Sequence, residues 1–162
     1  MRMPQRGAGV RSVANTYAQL YFHLIWSTKE RTKQLHPAFR ERLYEYIRGI
    51  IRNEHGHLLQ IGGIEDHIHL LINAPLVCSI PKLVQYIKAG SSKWINQEKL
   101  LPNKFAWQEG YGAFSVSTSL APNVQKYIQN QEEHHRSKSF KDEYIALLKA
   151  HGISFKMEYV FD

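Results

Sequence analysis

Hydrophobic positions along the chain switch repeatedly between strand-like and helix-like spacing, and the switches mark out the elements. Tyr17 to Ser27 is dense in aromatic and β-branched residues and predicts a first strand. A polar loop follows from Thr28 to Leu35, carrying Lys29, Arg31 and Lys33. His36-Pro37 marks a helix start, and Phe39, Leu43, Ile47, Ile50 and Ile51 then recur at helical spacing until Gly56 stops them near His55. Leu58 to Ile64 predicts a second strand, with a bend or bulge expected at Gly62-Gly63. Glu65-Asp66 is a tight connection into a third strand through Asn73. Side chains alternate faces along a strand, so Ile68, Leu70 and Ile72 point one way and His67, His69 and Leu71 the other.

Ser79-Ile80-Pro81 predicts an N-cap and a helix to about Lys99, with Leu83, Ile87, Gly90 and Trp94 as its core stripe. After the break at Pro102-Asn103, Phe105 to Glu109 and Gly112 to Ser117 read as strand pieces joined at Gly110-Tyr111. Leu120 to His135 reads as one helix with Ser119 as its cap, and Phe140 to Ala150 as a last helix stopped by Gly152. The tail from Phe155 to Asp162 alternates weakly. The order of elements predicts an α+β fold, a ferredoxin-like split β-α-β with a central antiparallel sheet, helices on one face and additional C-terminal helices. In that arrangement the histidine face of the sheet is expected to be open. Met1 to Ala14 carries Arg2, Arg6 and Arg11 and no acid, and is expected to be a flexible basic tail ahead of a single domain over residues 15–162.

Composition narrows the setting. With 162 residues, 43% hydrophobic, the chain can bury a core of its own. Its single cysteine, Cys78, precludes an internal disulfide, and no apolar run resembles a leader or a membrane span, so a reducing cytosol is the expected compartment. The net charge of +7 favours a polyanionic partner. Five lysines against one acid between Lys82 and Lys104 concentrate that charge, and Lys88 and Lys93 are the expected phosphate contacts.

Two groups of residues carry chemistry. His67 and His69, side by side on a rigid strand, form half of a metal site, although a surface or core histidine pair is the plainer reading. Tyr127 and Gln131, four apart on a helix, share a face; an ordinary half-buried tyrosine is the competing role. Asp66 reads as a turn residue that could instead orient His67, His134-His135 as solvated or phosphate-facing residues that could instead extend the metal site, and His55 and His57 as helix-end residues.

Together these residues resemble the single-tyrosine HUH transposases of small bacterial insertion sequences, relatives of the REP-associated tyrosine transposases. The resemblance rests on His67-Ile-His69 followed by Tyr127-x-x-x-Gln131. Flanking segments agree in order: Tyr21-Phe-His-Leu-Ile-Trp, Ile87-Lys-Ala-Gly-Ser-Ser-Lys-Trp and Phe105-Ala-Trp-Gln-Glu-Gly-Tyr-Gly-Ala-Phe. It implies that His67, His69 and Gln131 bind a divalent metal, Mg2+ or Mn2+, and that Tyr127 is the nucleophile. It further implies single-stranded DNA with hairpin ends as substrate, cleaved and rejoined through a 5′-phosphotyrosine, and a homodimer. Alternatives are a domesticated or inactive relative that only binds DNA hairpins, and a structural zinc protein.

Overall fold

The computed structural model describes residues 11–13 and 15–161. Most of the expected basic tail, residues 1–10 and 14, lies outside the described residues, but β1 (Arg11–Val13) pairs antiparallel with β2 (Thr16–Ala18). The main sheet has four antiparallel strands: β3 (Tyr21–Ser27), β4 (His57–Gly63), β5 (His67–Asn73) and β6 (Gly112–Val116), in the order β4-β5-β3-β6. This is the split β-α-β order expected from the sequence, with α1 (Pro37–Asn53) joining β3 to β4 and α2 (Ile80–Gln97) joining β5 to β6. The histidine strand β5 is central and buried at every residue.

Face alternation divides the core in two. Leu24, Trp26, Ile68, Leu70 and Ile72 pack with α1 and α2. The opposite face, expected to be open, is covered by α3 (Ala121–Gln129), α4 (Gln131–His134) and α5 (Phe140–Ala150). Ile128 of α3 packs on Leu71 and Tyr21, while Phe140, Tyr144 and Leu148 of α5 pack on Ile25 and Phe114. These helices have apolar residues at helical spacing that need a partner, and the second sheet face supplies it. Among the described residues, no helix is long and apolar enough to cross a membrane.

Several local expectations are corrected. The ladder irregularity in β4 falls between Leu58 and Gln60, not at Gly62-Gly63. The two glycines serve close approach instead: a Cβ on Gly62 would lie 2.5 Å from the Ile128 carbonyl oxygen, and one on Gly63 would strike the His67 backbone. The α2 stripe drifts to Leu83, Ile87, Ser91 and Ile95. Ser91 satisfies its hydroxyl with the Ile87 carbonyl and accepts from Trp107 Nε1 at 2.9 Å. Trp94 instead stacks on Tyr46, with ring centroids 4.5 Å apart. Phe105 to Glu109 forms no strand beyond one bridge between Thr28 and Trp107. The long helix expected from Leu120 to His135 breaks at Asn130, whose φ of −97° and ψ of 24° interrupt it. Ser119 does not cap α3, because Leu120 holds that position without a side-chain bond.

Gly62→Ala is expected to lower stability by about 1–3 kcal/mol, because the Ile128 backbone must move to admit the methyl group. Gly49→Ala, in open space on α1, is expected to be neutral or to stabilise by up to about 1 kcal/mol. Thermal melts of the two variants check this, and a Gly62→Ala melting point equal to wild type would contradict the close-packing account.

Candidate functional site

Beneath α3, α4 and α5, the second face of β5 presents His67 and His69, both fully buried. The Oε1 atom of Gln131, the first residue of α4, lies 3.1 Å from His67 Nε2 and 3.0 Å from His135 Nε2. The break at Asn130 separates α3 from α4, yet Gln131 still reaches back to the Tyr127 carbonyl at 3.4 Å. Tyr127, Gln131, His67 and His69, singled out from the sequence, therefore meet within one chain.

A residue not singled out lies at their centre. Glu143 of α5, 1% exposed, sets Oε1 2.9 Å from His69 Nε2, 3.1 Å from His135 Nε2 and 3.3 Å from His67 Nε2. Its Oε2 accepts from the Tyr127 hydroxyl and, at 3.3 Å, from Gln131 Nε2. The α5 helix delivers this carboxylate on a fixed register: Ser139 caps it by accepting from Asp142 N at 3.2 Å, and its apolar side is pinned by Phe140, Tyr144 and Leu148. The sequence did carry a signal. Glu143 falls on the same helix stripe as Phe140, Tyr144 and Leu147, and a charge on an apolar stripe is a buried charge.

Each of the three histidines at the centre is held from behind. His67 Nδ1 meets Asp66 Oδ1 at 2.7 Å, His69 Nδ1 meets His23 Nε2 at 2.8 Å, and His135 Nδ1 donates to the Lys138 carbonyl at 2.6 Å. In every case Nε2 is left facing the centre. Asp66 therefore orients a ring rather than merely turning the chain, and His135 belongs to the site rather than to solvent. His134 also approaches it, with Nε2 3.3 Å from the Tyr127 hydroxyl. His23, on β3, was not anticipated as a site residue; strand parity places it on the face of Tyr21 and Ile25, beside His69.

The electrostatics follow from this crowding. Burial alone would raise the Glu143 carboxyl, but hydrogen bonds from His135, His67 and His69 outweigh it and hold Glu143 well below the usual carboxylate range. Burial likewise opposes charge on His67, yet Asp66 and Glu143 lift it to about 9. Burial dominates at His69, lowered to about 4, and at His23, lowered to about 3. Burial and the neighbouring Glu143 carboxylate push the Tyr127 phenol up, so it stays protonated and donates. His67, His69, His135 and Glu143 place one ligand atom each within 4.8 Å of one another, and Gln131 adds an amide oxygen. Buried imidazoles with oriented second nitrogens are a donor set suited to a divalent metal.

The two lysines behave differently. Lys88 Nζ donates to the carbonyls of Gln108, Glu109 and Gly110 at 2.7, 3.1 and 2.6 Å, which commits its three protons to the chain itself. Burial lowers its pKa to about 8. Lys93 is exposed.

Comparison with known proteins adds independent observations. The family model for IS200-like transposases matches residues 16–131. The ISDra2 transposase TnpA of Deinococcus radiodurans is 29% identical over 121 residues, covering 71% of this chain and 86% of that protein. The transposase for insertion sequence element IS200 of Salmonella typhimurium is 24% identical over 128 residues, 76% of this chain and 84% of that protein. A crystal structure of an assigned transposase from Deinococcus radiodurans superposes with a TM-score of 0.61 at 26% identity, covering 75% of this chain and 97% of that one. A REP-associated tyrosine transposase solved bound to a REP hairpin shares the fold, with a TM-score of 0.57 at 15% identity over 72% of this chain and 68% of that one.

Asp66→Asn is expected to lower the His67 pKa from about 9 toward the ordinary imidazole range, because one of the two acids that raise it is removed. An NMR pH titration of the metal-free protein reads this directly, and an unchanged His67 titration would contradict the assigned role of Asp66.

Proposed function

This chain belongs to the IS200-like transposase family, and from that premise we propose that it cleaves and rejoins single-stranded DNA at hairpin-bearing ends through a phosphotyrosine on Tyr127. The observation that carries the reading is the convergence of Tyr127, Gln131, His67 and His69 around one buried centre. The family membership supports strand cleavage and transfer as the class of reaction. Hairpin recognition is supported only by analogy with the hairpin-bound relative that shares the fold.

His67, His69 and Gln131 would hold a divalent cation, Mg2+ or Mn2+. Bound there, it would supply positive charge to polarise a nonbridging phosphate oxygen and to ease loss of the Tyr127 proton. The remaining work belongs to the chain. Tyr127 is the nucleophile: its phenolic oxygen bonds to phosphorus as the bond to the 3′ oxygen breaks, and the phenolic proton ends on that 3′-hydroxyl. The 5′ side stays on the enzyme as a phosphotyrosine, so the energy of the ester is retained. A 3′-hydroxyl can then attack the same phosphorus and return Tyr127 to its free form, which rejoins DNA without an external energy source. A free tyrosine is only about 0.1% phenolate at neutral pH, and the resting site holds Tyr127 further toward the phenol. Lys93 on the exposed side of α2 would meet the DNA backbone, whereas Lys88 clamps the turn before β6. In a single chain Tyr127 faces its own histidines, and a homodimer is proposed on the family resemblance alone.

Purified protein is expected to form a covalent adduct with labelled hairpin-bearing single strands from the DNA flanking its gene in Mn2+ or Mg2+, read as a shifted band on a denaturing gel. EDTA abolishes the band. Tyr127→Phe lowers it at least about 1,000-fold while native gels show hairpin binding retained. Tight hairpin binding with no adduct from the wild-type protein would replace this reading with that of a DNA-binding relative.

A further inference from the structure

We infer that His135 and Glu143 complete the metal centre as a third imidazole and a carboxylate ligand, beside His67, His69 and Gln131. This rests on the reading of the two strand histidines as metal ligands and extends it into the segment beyond residue 131, where the family match ends.

Three observations carry the inference. The first is spacing. Ligand atoms about 2.1 Å from one ion and at right angles to each other stand about 3.0 Å apart. Glu143 Oε1 lies 2.9, 3.1 and 3.3 Å from the Nε2 atoms of His69, His135 and His67. Gln131 Oε1 lies 3.1 Å from His67 Nε2 and 3.0 Å from His135 Nε2. These five separations are those expected of neighbouring ligand atoms around one ion, and His135 and Glu143 take part in them as fully as the strand pair.

The second is the orientation of His135. Its Nδ1 donates to the Lys138 carbonyl at 2.6 Å, which fixes the tautomer and turns Nε2 inward. Ligating histidines are held in this way by a carboxylate or a backbone carbonyl. The side chain is 3% exposed, so Nε2 faces the centre rather than water.

The third is the burial of Glu143. A carboxylate at 1% exposure requires positive charge beside it. Three imidazole Nε2 atoms converge on it at 2.9 to 3.3 Å, and a dication held among the same atoms would supply that charge with the rings in place. Glu143 is built for this division: Oε1 faces the three Nε2 atoms, while Oε2 turns to Tyr127 and Gln131. An ion held by these five protein ligands would still have room to take a phosphate oxygen. Three imidazoles in the set also move its preference from Mg2+ toward Mn2+ and later transition ions.

The test is direct Mn2+ binding, independent of DNA chemistry. Anomalous diffraction from wild-type crystals soaked in Mn2+ is expected to show His135 Nε2 and Glu143 Oε1 within bonding distance of the ion. Titration calorimetry is expected to show Mn2+ affinity reduced at least about 10-fold in Glu143→Gln and in His135→Asn, with melting in EDTA confirming that each variant is folded. An ion that contacts the strand histidines but neither of these residues overturns the inference. So does a Glu143→Gln variant that binds Mn2+ as tightly as wild type or tighter, since Glu143 would then compete with the ion. His67→Ala separates the two levels: if it leaves Mn2+ affinity unchanged, the strand histidines are not ligands and the proposed metal centre itself falls.

Discussion

A carboxylate without exposure to solvent has to be neutralised where it lies, and Glu143 is the point at which this chain meets that demand. Taking an ionised carboxyl out of water costs several kcal/mol unless close charge or hydrogen bonds replace the lost hydration. His67, His69 and His135 do so at 2.9 to 3.3 Å. The inward turn of His135 and the donor role of the Tyr127 hydroxyl serve that group, which α5 brings in as Phe140, Tyr144 and Leu148 pack on the sheet. The same arrangement gives neighbouring imidazoles opposite behaviour. His67, facing two acids, is lifted to about 9, whereas burial outweighs Glu143 at His69 and lowers it to about 4.

The scaffold makes this crowding possible by rigidity on one side and close approach on the other. Strand β5 is central, paired to β3 over seven residues and to β4 along its length, so its histidines cannot drift. On β4, Gly62 lets the Ile128 backbone of α3 come nearer than any side chain would permit. Arg40 ties the layers further: it donates to the Gly63 carbonyl at 3.0 Å and pairs with Glu132 of α4 at 3.0 Å. The break at Asn130 lets Tyr127 and Gln131 belong to separate helices while both address the same centre. A site on strand and helix backbones held this tightly is preorganised, which is where catalytic geometry draws its advantage.

Much of this was legible in the sequence, because period-two and helical spacing report directly on which faces are buried. The order of strands, the central histidine strand, and the pairing of His67 with His69 and of Tyr127 with Gln131 on shared faces follow from patterns local to a few residues, whereas the meeting of the two pairs was implied by the family resemblance. The parts that were not legible depend on contacts between distant segments. The covered second face could not be read from β5 alone, since a histidine face looks polar whether water or another helix lies over it. The roles of His135 and Glu143 arise from the chain folding back after Lys138, although Glu143 on the stripe of Phe140 and Tyr144 was a visible anomaly. Gly62-Gly63 suggested a bulge, but their reason is a neighbour that spacing along β4 does not reveal. Lys88 read as a phosphate contact, because nothing in its own helix announces the three carbonyls of residues 108–110.

The central claim is that Tyr127 is the atom-level partner of the DNA in this site. It is tested most directly by trapping the protein on hairpin-bearing single-stranded DNA with Mn2+, digesting away the DNA and the protein, and locating the residual nucleotide by tandem mass spectrometry. The account predicts a nucleotide joined through its 5′-phosphate to Tyr127. A nucleotide on any other side chain, with Tyr127 unmodified, would contradict it.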